Sequence, residues 1–241
     1  MSTAPPQLTP PGLRPLPTLV ALLPLIVILE AALLRSGTDL SAAQILAHIQ
    51  IGDAMHFFGL APEVVLHGTG VAVVAILLVW HALTGDRWTI GLRGPLQLWF
   101  EGIIATAPLL AMAAFLGTLQ GAPLAANAVT PVSGFDAILL AIGAGLSEEL
   151  LFRMVGIGAL HWLLVDVLKW RATIGTPVAI LASTVAFTMY HDPSQLPAAG
   201  TVFIAAAGLY LGVVYVLRGF AVVVIAHAAY DAVVLWGSVT N

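Results

Sequence analysis

Between Pro193 and Leu217 the chain runs for 25 residues without a formal charge. About 20 apolar residues in a helix suffice to cross the hydrocarbon core of a bilayer. Comparable apolar runs occur at about 18–34, 63–84, 97–118, 135–165, 176–191, 199–217 and 219–237. Helices are expected in these runs because lipid offers no partner to free backbone N–H and C=O groups. A membrane β-barrel would alternate polar and apolar residues in segments of about ten, and Ala75-Ile76-Leu77-Leu78-Val79 does not alternate. The expected fold is an all-α, polytopic membrane bundle of seven helices, or eight if the mixed stretch 38–62 also crosses. Composition closes the soluble route. Apolar residues make up 60% of the 241 and charged residues 8%, against about 25% charged in soluble domains. Eight Lys+Arg, a net charge of −4 and no basic cluster argue against nucleic acid as a partner. The chain has no Cys, which removes disulfides, thiolate metal sites and Cys nucleophiles.

Residues 1–17, rich in Pro, read as a mobile N-terminal tail, residues 18–96 as N-terminal membrane helices, and 97–237 as the core that carries the chemistry. The first apolar run is long, contains Glu30 and ends in Leu34-Arg35 without a small-x-small cleavage site, so it reads as a retained span rather than a signal peptide. Basic residues fall in every second loop: Arg87 and Arg93, then Lys169 and Arg171, then Arg218, with none in 119–134 or 192–198. The positive-inside rule then expects the N-terminus in the cytoplasm and, with seven spans, the C-terminus outside. Arg35 departs from that pattern. The compact loops and lack of Cys fit a bacterial inner membrane; an internal eukaryotic membrane is the alternative. The Gly208/Gly212 pair suggests close helix packing. His67 and His81, near the ends of one span, read as interfacial residues.

Ionisable groups inside apolar spans are costly, so each is a candidate for function. Three groups fall in the last four spans. The first is Ser147-Glu148-Glu149-Leu150-Leu151-Phe152-Arg153. Glu149 and Arg153 are four apart with the Glu N-terminal, the favourable order for a helical ion pair. Glu148 lies about 100° round the helix, free to serve as a general base. The competing reading is a structural ion pair pinning two helices. The second group is Phe187-Thr188-Met189-Tyr190-His191, ending a span before Asp192-Pro193. On its own, His191 also reads as an interfacial polar residue. The third is His227-Ala228-Ala229-Tyr230-Asp231. Its His and Asp share a helix face, so the Asp either fixes the imidazole tautomer or faces the same cavity. The competing reading is a hydrogen-bonded pair joining helices.

In this order on successive spans, E-E-x-x-x-R, F-x-x-x-H and H-x-x-x-D resemble the CAAX protease and bacteriocin-processing family of intramembrane endopeptidases, which includes the Ras-converting enzyme. The resemblance implies a helical membrane protein that hydrolyses a peptide bond in a membrane-embedded cavity. It implies Glu148 as the base, Glu149 and Arg153 as its supporting pair, His191 as a second holder of the attacking water, and His227 with Asp231 facing the oxyanion. Phe187 carries over as a candidate substrate-binding residue. The third motif often has Asn where this chain has Asp231. An Asn can donate a hydrogen bond to an oxyanion and an ionised Asp cannot, so Asp231 is either protonated or orients His227.

The resemblance implies no cofactor. Zinc is the chemical alternative, held by His191, His227 and Glu148 with a fourth position open, although the chain has no H-E-x-x-H. The expected partners are the lipid bilayer and a membrane-associated protein or peptide substrate, such as a prenylated tail, a leader peptide or a C-terminal sorting signal. Two other function classes compete: a non-proteolytic scaffold or immunity protein of the same fold, and a carrier using the same buried carboxylates.

Overall fold

The computed structural model describes residues 11–36, 62–89, 91–120 and 133–240. Among these residues there are only helices and turns. Seven long helices follow one another: α1 (Pro15–Ser36), α2 (Pro62–Thr84), α3 (Arg93–Gln120), α4 (Gly134–Val167), α5 (Ala172–Tyr190), α6 (Ala198–Arg218) and α7 (Phe220–Thr240). Six of them, all but α2, are long and apolar enough to cross a membrane; within α2 the apolar part is Gly68–Thr84. The chain is an integral membrane protein with an all-α fold. Of the mixed stretch 38–62, the candidate eighth span, all but Pro62 lies outside the described residues.

One boundary differs from the sequence reading. The Pro-rich tail was expected to reach residue 17, but Pro11–Leu13 forms a 3₁₀ turn and α1 begins at Pro15. Pro15 and Pro17 both fall in the first turn of α1, where a missing N–H removes no helical hydrogen bond. The long run read at 135–165 is one continuous helix, α4. Ser133 caps its start, its Oγ accepting from the Asp136 N–H at 3.3 Å. Beyond Glu149 the helix continues through two widened π-helical stretches, Leu150–Ile157 and Trp162–Val167. Such widening is uncommon and often lies at functional sites.

The centre of the bundle is α7. Phe220 through Ala226 are each no more than 2% exposed, the pattern of a helix covered on all sides. It packs chiefly on α4 and α3, with α6 and α1 alongside. Gly145 makes the α4 contact close: a Cβ there would lie 3.0 Å from Ala228 Cβ. Gly208 and Gly212 pack on α5, where added Cβ atoms would meet Phe187 at 3.1 Å and Ile180 at 2.9 Å, so this G-x-x-x-G is a packing seam as expected. Leu83, Phe100, Phe115, Val185 and Leu217 point outward and are well exposed, as side chains facing lipid would be. His81, read as interfacial, is buried at 2% exposure with its ring edge-on to Trp88, 4.3 Å between centroids.

Candidate active site

The first two motifs meet because of a helical hairpin. The α4–α5 turn covers 168–171; Glu148 lies 20 residues before it and His191 lies 20 residues after it. Equal arms of an antiparallel pair place those residues side by side, about 30 Å from the turn at 1.5 Å per residue. The same register sets Phe152 edge-on to Phe187, with ring centroids 5.2 Å apart. It also lets Ser183 Oγ donate to the Phe152 carbonyl at 2.7 Å. Asp192 ends α5 directly after His191. It adopts a left-handed φ of 44° and caps the following turn, accepting from Ser194 N at 3.2 Å. Asp is among the few residues that tolerate that region.

The third motif arrives on α7 through the close approach at Gly145. His227 Nδ1 lies 2.7 Å from Glu149 Oε1, which also meets Arg153 Nη1 at 3.1 Å. Arg153 Nη2 donates to the Gly208 carbonyl at 3.4 Å, and its guanidinium lies over the Phe187 ring, 4.3 Å from the centroid. Glu149 and Arg153 are 0% and 1% exposed. The Glu149–Arg153 pair read from the i, i+4 spacing is therefore formed, and fully enclosed.

Glu148 faces a different set of atoms. Its Oε2 lies 3.6 Å from His191 Nε2 and 3.8 Å from His227 Nε2, and makes no hydrogen bond among the described residues. Hydrogen-bond valence fixes both rings. His191 Nδ1 lies 2.9 Å from the Phe187 carbonyl, which can only accept, so Nδ1 carries the proton and the neutral ring keeps a lone pair on Nε2. His227 Nδ1 likewise donates to the ion-paired Glu149 carboxylate. Both Nε2 atoms and one carboxylate oxygen thus surround a single small space.

Of the two readings of its spacing, Asp231 lies where the second puts it, facing the same cavity as His227. The ring nitrogen it would orient is held by Glu149, because α4 packs so close to α7. Asp231 Oδ2 instead lies 3.4 Å from His227 Nε2, on the same side as Glu148. A cavity of about 200 Å³ opens beside this group, reaching His191, His227 and Asp231 and walled by apolar residues such as Leu109, Phe203 and Leu211. Phe187 also lines it, but its ring is engaged by Arg153, Phe152 and His191.

Sequence reasoning missed Ser183. It is buried at 5% exposure and ties α5 to the widened turn that carries Arg153. The signal was available: Ser183, Phe187 and His191 are spaced four apart on one helix face. The described residues contain no group of three or more His, Asp or Glu set out as a metal-binding cluster.

Residues 130–233 match the model of the Rce1-like family, described as Type II CAAX prenyl endopeptidase. That stretch of the chain is similar to the family. The match covers less than half of the chain, and it contains all six polar residues of the site. No curated protein and no solved structure matches.

Proposed function

We propose that the chain is an intramembrane endopeptidase that hydrolyses a peptide bond of a membrane-associated protein or peptide with an activated water. One observation carries this reading. Two histidines, each anchored through Nδ1, turn their Nε2 atoms toward Glu148 Oε2 across 3.6 Å and 3.8 Å. Groups facing one another at that separation do not bond directly; they suit a water held between Glu148 and His191, with His227 Nε2 left to face the oxyanion.

In the proposed reaction Glu148 takes a proton from that water as its oxygen attacks the scissile carbonyl carbon. The carbonyl oxygen becomes an oxyanion beside His227, whose Nε2, when protonated, donates to it. The C–N bond then breaks, and Glu148 passes its proton to the leaving amine. Glu149 and Arg153 hold His227 and do not touch the substrate. General acid–base catalysis of this kind contributes about 10²–10⁴-fold, and preorganised donors at the oxyanion a further term of similar size.

The same three groups are those a zinc ion would take, and imidazoles anchored through the far nitrogen are also the usual second-shell arrangement around a metal. Chelation separates the two mechanisms. Purified wild type and Glu148→Gln are assayed in detergent on membrane-anchored peptides, with and without chelator. The water mechanism expects chelator-resistant cleavage by wild type and none by Glu148→Gln. Cleavage lost with chelator and restored by zinc would make Glu148, His191 and His227 ligands. Cleavage by Glu148→Gln at the wild-type rate would remove the site from the reaction altogether.

A further inference from the structure

We infer that the site opens on the non-cytoplasmic side of the membrane, so that its substrate is a translocated, apolar polypeptide segment at the outer leaflet and not a prenylated cytoplasmic tail. This rests on the proteolytic reading for the substrate, and on the placement of the basic residues for the side.

The chain has eight Lys and Arg. Six of them gather on one face of the bundle. Arg14, just before α1, pairs with Asp86 in the α2–α3 loop, Nε to Oδ2 3.5 Å. That loop also carries Arg87, and Arg93 opens α3. The start of α3 lies beside the start of α1, where Trp99 Nε1 donates to the Ala21 carbonyl at 2.9 Å. The end of α6 joins the same face, since Arg218 Nε donates to Glu101 Oε2 of α3 at 3.0 Å. Lys169 and Arg171 follow, because the packing of Gly212 on Ile180 sets the end of α6 along the beginning of α5. Of the other two, Arg153 belongs to the buried site and Arg35 lies near the far end of α1. Glu30 lies against Gly70, so α1 and α2 are antiparallel and the described ends at Ser36 and Pro62 share the opposite face. The count is six to one, and the positive-inside rule assigns the crowded face to the cytoplasm.

The cavity points the other way. Its rim includes Leu196, in the α5–α6 loop, and Gly200, in the first turn of α6. On α7 it runs from His227 past Asp231 to Val234, away from the Arg218 end. His191 closes α5 at the end remote from Lys169 and Arg171. The α5–α6 loop has no Lys or Arg. A peptide reaching Glu148 therefore comes from the basic-poor face or from the adjoining leaflet. Prenyl groups are attached on the cytoplasmic side of membranes, so a prenylated tail would have to cross before it could enter. The walls select for apolar side chains: no Lys or Arg lines the cavity, and Leu109, Phe203, Leu211 and Val234 do.

The absence of native Cys makes the test direct. Gln195→Cys, on the α5–α6 loop, and Thr89→Cys, on the α2–α3 loop, are both at exposed positions and leave every basic residue in place. Each is expressed in bacterial cells and treated with a membrane-impermeant maleimide. The inference expects Gln195→Cys to label in intact cells and Thr89→Cys to label only after permeabilisation. The reverse pattern would overturn it, whatever the protein's activity. In parallel, a quenched peptide with an apolar segment and no prenyl group is added to sealed right-side-out and inside-out vesicles, and to detergent extract. Cleavage by right-side-out vesicles at tenfold or more the rate of inside-out ones supports the inference; the opposite ratio overturns it. Failure to cleave even in detergent would count against the proteolytic reading, leaving the labelling to decide the side.

Discussion

Among the described residues, two Glu–Arg pairs of similar chemistry stand in opposite settings. Glu101 and Arg218 join α3 to the end of α6 on the basic face, with Arg218 43% exposed and Gln97 sharing the carboxylate through a 2.8 Å bond to Oε1. Glu149 and Arg153 lie sealed beside the cavity, 0% and 1% exposed. An exposed pair contributes little, typically about 0–1 kcal/mol. A buried pair must offset the desolvation of both charges and is often no better for stability than apolar residues of the same volume. The buried pair here is extended where the exposed one is not: Glu149 Oε1 also receives His227 Nδ1, and Arg153 also reaches the Gly208 carbonyl and the Phe187 ring. Those added contacts reach the groups that face the cavity. The outer pair fastens helices; the inner pair fixes the orientation of an imidazole, and its burial is accounted for by function rather than by stability.

The sharpest contrast is between the inner pair and its neighbour. Glu148→Gln keeps the side-chain volume and removes the base, and is expected to lower kcat by about 10³-fold or more with the unfolding midpoint in detergent near that of wild type. A midpoint that collapses together with activity would make Glu148 structural and erase the distinction from Glu149. Glu149→Gln is expected to behave oppositely in stability. It leaves Arg153 buried without a counter-charge, at a cost of about 3–5 kcal/mol, measurable by steric trapping or denaturant unfolding in micelles. Adding Arg153→Met should recover most of that loss while cleavage stays below one-tenth of wild type, since His227 keeps only a neutral amide acceptor in place of the charged carboxylate that anchored it. Recovery of activity along with stability would refute the orienting role.

Much of this arrangement is legible in the sequence. The seven apolar runs become seven helices, and the i, i+4 spacing of Glu149 and Arg153 becomes a 3.1 Å contact. What periodicity does not carry is interhelical register. Read from the spans alone, His191 falls at the outer end of its helix and Glu148 well inside its own. The difficulty disappears because α4 runs on to Val167 through widened turns and α5 returns over an equal distance. Nor does spacing along one helix reveal a competitor on another. His227 and Asp231 share a face, yet Glu149 takes the ring nitrogen because Gly145 lets α7 approach. Ser183 escaped notice because a lone hydroxyl in an apolar helix commonly bonds its own backbone, as Ser147 does with the Gly143 carbonyl at 2.7 Å. Which carbonyl a serine takes is decided by the neighbouring helix.

Ser183 gives a smaller effect that still bears on the inner pair. Its bond to the Phe152 carbonyl spans the hairpin one residue before Arg153. Ser183→Ala is expected to cost about 1–2 kcal/mol and to lower kcat with little change in KM, and Ser183→Thr, which keeps the hydroxyl, should restore kcat. A change in KM alone would place the bond in substrate binding.

The smallest effect belongs to the outer pair. Arg218→Gln breaks the clamp to Glu101 and leaves the carboxylate its bond to Gln97. The expected loss is under about 1 kcal/mol. It should shrink further as salt rises from low to molar concentration, because charges in contact with water are screened within a Debye length of about 3 Å at 1 M. Peptide cleavage in detergent should be unchanged. The inner pair, shielded from ions, should give the same stability change for Glu149→Gln at both salt concentrations. A salt-independent Arg218→Gln loss of several kcal/mol would mean that this pair too is held in a low dielectric, and the contrast in setting would no longer separate fastening from catalysis.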